Sequence, residues 1–429
     1  MLTRWLYTLA FYLAIPLLLV RLFKRIKKNP AYRARIRERF GVYACEPLQN
    51  SLWFHTVSVG EFLASKPLID KVLAAHPHKP CVITTMTPTG SEQVLTSYAE
   101  QIEQGRVQHV YLPYDLPDAI KRFLNRFQPS ILVIMETELW PNLIHFTHER
   151  QVPILVANAR LSEKSAQGYR KILPLFRPMM REVSLIAAQS QQDGERFTDL
   201  GLAPANLQVT GTVKFDLEVD STIQTKAEQL RLAWGEERHV FIAASTHKGE
   251  DELVLEAFLY IRAKQPGTLL VMVPRHPERF DEVAKLVASR GLSCSRISDS
   301  EQVAPETEVL LGDTMGDLLR MLGASDVAFI GGSLVPVGGH NMLEPLAMGT
   351  PAITGPHVFN FQMVAELLTQ QNVLVTVNSP LALGEAVVDM LEDRAKRIGL
   401  SQRGKRIVDE NRGAVDRLFQ LIQSIINEC

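Results

Sequence analysis

Cysteine is scarce: the 429 residues hold four, Cys45, Cys81, Cys294 and Cys429, with no C-x-x-C pair among them. That spacing excludes a zinc ribbon and a disulfide framework, and it fits a reducing compartment. Also absent are G-x-G-x-x-G after a strand, G-x-x-x-x-G-K-[ST], H-E-x-x-H, G-x-S-x-G and any D-x-D. Dehydrogenase, P-loop NTPase, zincin and serine-hydrolase chemistry lose their sequence basis, as does a sugar transferase holding its nucleotide through a D-x-D-bound metal. There is no low-complexity tract and no solenoid-length repeat. With 46 % hydrophobic and 22 % charged residues, the chain reads as globular, with two to three domains at roughly 150 residues each.

The net charge of −1 conceals an asymmetry. The first 40 residues carry ten Lys or Arg and one acid, Glu38, leaving 36 basic against 46 acidic residues in the rest. Basic charge confined to one end does not make a nucleic-acid groove, so no nucleic-acid partner is expected. From Trp5 to Val20 no residue is charged, and with Leu22 and Phe23 the apolar stretch makes a helix of roughly 28 Å. Arg21, Lys24, Arg25, Lys27 and Lys28 follow it directly, against Arg4 alone before it. By the positive-inside rule this is a retained membrane anchor with the bulk of the chain cytoplasmic. A cleaved signal peptide carries its charges on the opposite flank, and a helix lying in one leaflet is the other reading. The basic flank suits anionic lipid headgroups.

Short β-branched runs alternate with helical patterns at residues 52–57, 81–85, 107–112, 130–135, 153–157, 184–188 and 207–210. After a polar stretch over 216–238 they resume at 239–244, 268–273, 308–311, 326–330, 351–354 and 373–376. This is a βα rhythm, hence α/β with two Rossmann-like domains facing a cleft. The expected divisions are an anchor and basic flank over 1–29, a first domain over 30–215, a linker over 216–235, a second domain over 236–400 and terminal helices over 401–429. Leu418, Ile422 and Ile425 share one face of the last helix, and Trp53, Phe54 and Phe329 belong to the core. Ligands of open α/β sheets sit beyond the carboxyl ends of strands.

Polar residues cluster at those ends. In His55-Thr56-Val57-Ser58-Val59-Gly60-Glu61 a strand gives way to a helix expected to begin at Glu61. That carboxylate is either a first-turn acid favoured by the helix dipole or a general base. Glu136 and Glu138 follow the strand over 130–135; at spacing two, one is expected to face the cleft and the other to cap the next helix. Lys214, in Gly211-Thr212-Val213-Lys214-Phe215-Asp216, reads on spacing alone as a solvated hinge lysine, with a phosphate or oxyanion contact as the alternative.

In the second half, Pro274-Arg275 follows a strand and presents a planar guanidinium suited to phosphate or carboxylate. Met315-Gly316-Asp317 precedes a helix whose N-terminal amides can hold an anion. The run Gly331-Gly332-Ser333-Leu334-Val335-Pro336-Val337-Gly338-Gly339-His340-Asn341-Met342-Leu343-Glu344 has two diglycines for close backbone approach to a ligand. Glu344, expected one turn into a helix, is placed to accept ribose hydroxyls. With Thr354-Gly355-Pro356-His357 this has the form of a nucleotide-sugar site. His55, His247, His276, His340 and His357 lie near strand ends without metal-ligand spacing, so they are expected to hydrogen-bond, and no metal site is expected.

The segments HTVSVGE, TTMTPTGSE, YLPYDLP, METELWPN, NARLSEKSAQGY, GTVKFD, STHKGED, VPRHPERF, GDTMGDL and GGSLVPVGGHNMLEPLAMGTPAITGP, in this order, resemble the 3-deoxy-D-manno-octulosonic acid (Kdo) transferase family of lipopolysaccharide synthesis. The resemblance spans essentially the whole chain. It implies a GT-B fold and inverting transfer of one or more Kdo residues from CMP-Kdo to lipid IVA. It places this at the cytoplasmic face of the inner membrane, with no separate cofactor and no metal in nucleotide binding. Carried over, it implies Glu61 as general base and Glu136 and Lys214 as transition-state stabilisers, with an offset of two exchanging Glu136 for Glu138. CMP contacts fall on Pro274, Arg275, Met315, Gly316, Asp317, Asn341, Met342, Leu343 and Glu344; Met342 stands where a smaller residue is expected. The competing readings are a GT-B enzyme using a UDP-sugar and a non-enzymatic nucleotide-sugar-binding membrane protein.

Overall fold

The computed structural model describes residues 2–217 and 219–428; Cys429 lies outside them. The chain divides into unit 1, Met1–Asp216 with Gly413–Cys429, and unit 2, Leu217–Arg412.

Unit 1 is a seven-stranded parallel sheet in the order β3-β2-β1-β4-β5-β6-β7. Its strands are β1 (Ser51–His55), β2 (Cys81–Thr85), β3 (Val107–Tyr111), β4 (Pro129–Met135), β5 (Ile154–Ala159), β6 (Leu185–Ala188) and β7 (Leu207–Val209). The central strands are mostly apolar because helices cover both faces of the sheet. Trp53 packs with Phe123 and Phe127 on one face; Phe54, Phe62 and Ile83 fill the other. The strand order reverses between β1 and β4, which pair from Leu52↔Ile131 to His55↔Ile134. Loops after these two strands diverge to opposite faces and leave a crevice at the switch point; Glu61, in the first turn of the helix that follows β1, and Glu136, on the loop after β4, stand there.

Unit 2 has a second seven-stranded parallel sheet, ordered β10-β11-β9-β8-β12-β13-β14. Its strands are β8 (Val240–Thr246), β9 (Leu269–Pro274), β10 (Cys294–Arg296), β11 (Val309–Leu311), β12 (Val327–Ile330), β13 (Ala352–Thr354) and β14 (Leu374–Thr376). Strand β10 is the one element of either sheet that the sequence pattern did not reveal: three half-exposed residues, Cys-Ser-Arg, at a sheet edge carry no apolar run. Most of the stretch expected as linker is instead the helix Ser221–Trp234, begun by Asp220 as N-cap and burying Ala227, Leu230 and Trp234. A polar run concealed an amphipathic helix.

The chain re-enters unit 1 at Gly413, whose φ of +91° turns it into the helix Ala414–Glu428. The Asp216 carboxylate accepts the Gly413 and Val415 N–H groups and fixes that return. Leu418 and Ile422 are fully buried against the sheet, with Ile425 packed beside them.

The N-terminal helix α1, Leu2–Lys28, is long and apolar enough to cross a membrane, and little of its apolar window is buried. It is nevertheless docked on unit 1 by polar contacts. Tyr7 Oη donates to Asp115 Oδ2 (2.9 Å), Thr8 Oγ1 to Asn142 Oδ1 (3.0 Å) and Tyr12 Oη to Asp118 Oδ1 (2.7 Å), while Leu22 is buried. The opposite face, with Leu9, Leu13 and Leu17, is exposed.

Candidate active site

The helix after β1, α2, spans Val59–Ala75, two residues earlier than the sequence suggested, because Ser58 is its N-cap. Glu61 is its third residue and completes a reciprocal cap. Ser58 Oγ accepts the Glu61 N–H (3.3 Å) and donates to Glu61 Oε1 (2.9 Å), while Val57 N–H donates to Glu61 Oε2 (2.7 Å). This is a variant of the S-x-x-E capping box, with the Val57 N–H taking the place of the N-cap N–H. The cap role and the base role are compatible, since the same hydrogen bonds that end the helix lock the carboxylate in one rotamer. Burial pushes the Glu61 carboxyl up to about 7; the Val57 N–H and Ser58 hydroxyl oppose this, and the charges of Glu136 and Glu138 reinforce it. A carboxyl poised there exchanges a proton near neutral pH.

Glu136 ends β4 with φ +59°, a left-handed conformation that a side-chain-bearing residue adopts only when its surroundings enforce it. Its N–H continues the ladder to Ala157 O (2.9 Å). Glu138 accepts from Trp140 Nε1 (2.8 Å), and burial raises its carboxyl, with the Glu136 charge contributing. Neither acid caps the next helix, contrary to expectation. Asp115, fully buried in the loop after β3, takes that part for the helix Pro141–Glu149, accepting from Asn142 N (3.0 Å) and Leu143 N (2.7 Å). A cap borrowed from 27 residues upstream relieves both glutamates of the capping role.

Lys214 is in the turn Val213–Phe215 and is half-buried, not a solvated hinge. Burial lowers its ammonium from the usual range, while the Glu136 carboxylate raises it and Arg160 lowers it. The turn is held by Asn158, whose Oδ1 accepts the Val213 N–H (3.2 Å). Asn158 is fully buried with φ +53°, at an irregularity in the β5 register. Unit 1 thus gathers Glu61, Glu136 and Glu138 within electrostatic reach of one another, with Lys214 in reach of Glu136.

In unit 2, Arg275 follows β9 with an exposed side chain, and its N–H binds Thr246 O (3.0 Å). Its charge reaches Glu344, His247 and His340. Glu344 lies in the first turn of the helix Leu343–Ala347, not one turn in. Its Oε1 accepts from Asn341 Nδ2 (3.3 Å), and burial raises its carboxyl while Asn341 and Arg275 lower it. Met342 and Leu343 have fully buried side chains, so a ligand there meets only their backbone. Met315 is 64 % exposed and Gly316 has φ +86°. Asp317 is committed to Arg320 (2.8 Å). The helices after Asp317 and Met342 have six and five residues, so any anion held there is held by local N–H groups more than by a summed dipole.

The first diglycine serves the fold. A Cβ on Gly331 would lie 2.4 Å from Ser245 O. The amides beyond it are occupied by Glu250: Gly332 N (2.6 Å), Ser333 N (3.0 Å) and Leu334 N (2.9 Å) all donate to its carboxylate. Glu250 was not visible as a site residue because its partners in the glycine-rich loop lie more than 80 positions away. His247 and His340 are stacked with Nε2 atoms 2.7 Å apart, and burial, helped by nearby positive groups, pushes His340 down to about 4. Burial lowers His247 as well, and positive charge beside the pair comes from Arg275, which bears on both rings, and from Arg279, which bears on His247. His55 is buried against Thr84 Oγ1 (3.0 Å), and His357 borders a separate cavity after β13. Among the described residues, no group of three His, Cys, Asp or Glu could hold a metal ion.

Residues 34–217 match the family described as 3-Deoxy-D-manno-octulosonic-acid transferase (kdotransferase), and residues 223–407 match Glycosyl transferases group 1. A 3-deoxy-D-manno-octulosonic acid transferase of Haemophilus influenzae is 43 % identical over 424 residues, covering 98 % of each chain. The chain belongs to the Kdo transferase family. As a Kdo transferase it is a glycosyltransferase, and a second relative, from Bordetella pertussis, is 34 % identical over 98 % of this chain and 99 % of its own. Two solved structures share the two-unit GT-B fold at low identity. They are the Anabaena protein HepE in complex with UDP (14 % identical, TM-score 0.56, 88 % of this chain and 100 % of that one) and a glycosyltransferase from Rickettsia africae (12 %, TM-score 0.55, 89 % and 100 %). Lipopolysaccharide synthesis is the setting that this family membership implies for the Kdo transferase.

Proposed function

We propose that this Kdo transferase moves Kdo from CMP-Kdo to lipid IVA with inversion at the anomeric carbon, unit 1 holding the acceptor and the base and unit 2 the nucleotide. The observation that carries the reading is Glu61: a carboxyl held by two hydrogen bonds and poised near 7 at the switch point of a sheet whose sequence matches the family. Glu61 takes the proton of the attacking sugar hydroxyl as the new C–O bond forms, and the bond to the CMP phosphate oxygen breaks with its electron pair leaving on CMP. Lys214 and Glu136 balance charge around the reacting carbon, Glu136 being preferred over Glu138 because Glu138 is tied to Trp140. Arg275 offsets the charge on departing CMP. The contacts assigned to CMP are Pro274 and Arg275, the backbone of Met315 and Gly316, Asp317, and Asn341 to Glu344. The anchor α1 and its basic flank hold unit 1 at the cytoplasmic face of the inner membrane.

The test is the product of purified protein with lipid IVA and CMP-Kdo generated in situ: a mass increase by one or more Kdo, with the anomeric configuration opposite to the donor's by NMR. CMP binding without transfer to lipid IVA refutes the acceptor, and retention of configuration refutes direct displacement with Glu61 as base.

A further inference from the structure

Unit 1 contains a cavity of about 280 Å³ where the C-terminal half of α1 meets the loops after β1 and β4. Its lining includes three arginines, Arg21 and Arg25 from α1 and Arg39 from the turn Ile36–Phe40, and no aspartate or glutamate. Arg21 and Arg25 are solvent-exposed. Arg39 is only 3 % exposed: one Nη donates to Met86 O (3.1 Å), the guanidinium lies 4.4 Å from the Tyr111 ring, and Nε has no hydrogen-bond partner among the described residues. A buried guanidinium with an unmet donor, beside two more cations and no acid lining the same space, selects a multiply charged oxyanion.

The surroundings narrow the choice. Val57, which lines the cavity, gives its N–H to Glu61; Trp140, which also lines it, gives its indole N–H to Glu138. A group bound here therefore sits beside the candidate base. Leu22 forms part of the wall, and the outer face of α1 continues as exposed leucines. The volume lies just below the range of about 300–1,000 Å³ typical of sites enclosing a whole small ligand, so the cavity suits a headgroup fragment and not an entire acylated disaccharide.

We propose that this cavity is the acceptor's anionic subsite, in which Arg21, Arg25 and Arg39 hold a phosphate monoester on the sugar of an acylated lipid and so present a neighbouring hydroxyl to Glu61. The assignment rests on the acceptor reading above and adds the group by which the acceptor is recognised. Anchoring the phosphate fixes the sugar's register against the base, and most of the benefit appears in KM.

The experiment uses the full chain in neutral detergent, which removes the attraction of a charged bilayer. Transfer from CMP-Kdo is compared for lipid IVA and for the same lipid stripped of phosphate. Wild type is expected to prefer the phosphorylated acceptor by roughly 10- to 100-fold in kcat/KM, and the exposed pair Arg21→Gln/Arg25→Gln to bring that ratio toward unity through KM. Arg39→Lys, which keeps the charge and loses the fork, retains part of it. Inorganic phosphate alone should compete with acceptor in wild type and less in the double variant. A ratio near unity in wild type, an unchanged ratio in the double variant, or a loss equal for both acceptors overturns the assignment. Binding of both lipids, followed by tryptophan fluorescence, separates the two readings. Phosphate-dependent binding without turnover refutes the reaction and keeps the cavity; turnover without phosphate discrimination does the reverse.

Discussion

Replacing Glu61 with glutamine separates its helix-capping task from the base role proposed for it. Glutamine at the third helical position satisfies the capping box as glutamate does, its carbonyl accepting from Val57 and its amide donating to Ser58, so α2 should begin where it does now. What is lost is the proton acceptor. Kdo transfer should fall roughly 10²- to 10⁴-fold, and the acid limb of kcat/KM near pH 7, where protonated Glu61 becomes ionised, should vanish. The same burial makes a prediction about stability. The folded carboxyl titrates near 7 against 4.5 when exposed, so between those values the folded chain binds more protons than the unfolded one and stability falls as pH rises. At about 1.36 kcal/mol per unit, ionising Glu61 costs up to about 3 kcal/mol above pH 7 and nothing below 4.5. Glutamine does not titrate. Calorimetry should therefore find Glu61→Gln melting higher than wild type at pH 8, by up to roughly 6–12 °C for a unit of this size, with the difference shrinking toward pH 5. Turnover within a few-fold of wild type refutes the base. Parallel melting curves across pH refute the burial argument, even if activity is lost.

Glu250→Gln turns an amide NH₂ either toward the Gly332 and His247 N–H groups, now on Oε2, or toward those of Ser333 and Leu334, now on Oε1; unit 2 should lose at least about 2 kcal/mol, and limited proteolysis should cut the 331–341 loop faster, with weaker CMP binding by calorimetry. Arg275→Gln should leave unit 2 melting within about 0.5 kcal/mol of wild type, yet weaken CMP roughly 10- to 100-fold; unchanged affinity removes Arg275 from the donor site. Asn158→Ala strands the buried Val213 N–H and puts alanine at a positive φ, so a loss of about 1–3 kcal/mol is expected by denaturation. In the same variant kcat should fall more than KM changes, since Lys214 rides on the turn that Asn158 holds.

Thirteen of the fourteen strands among the described residues coincide with apolar runs readable along the chain, because a strand covered on both faces needs several consecutive apolar residues. Strand β10 escaped because a short edge strand needs none. Glu61, Glu136, Lys214 and Arg275 were readable as candidates since each stands just past such a run, where open α/β sheets bind ligands. Their local roles were less legible. A helix cap and the proposed base have the same spelling, S-x-x-E, and what sets Glu61 apart from a plain cap is its burial near two other acids. The glycine-rich loop was read as a cradle for a ligand, yet part of its backbone is filled by Glu250 and by close approach to Ser245.

The sequence by itself determined the α/β rhythm, the apolar N-terminal helix with its basic flank, and the family, because each is written in residues close together or in motifs of fixed order. Tertiary structure decided which polar groups meet: Asp115 capping a helix 27 residues on, Glu250 bonding amides more than 80 residues on, His247 stacked on His340, and arginines of α1 lining a cavity beside the Val57 loop. Those pairings carry no periodic signal. Each is set by strand order and loop direction, which bring distant side chains together after the core has closed, and burial then fixes their charge states.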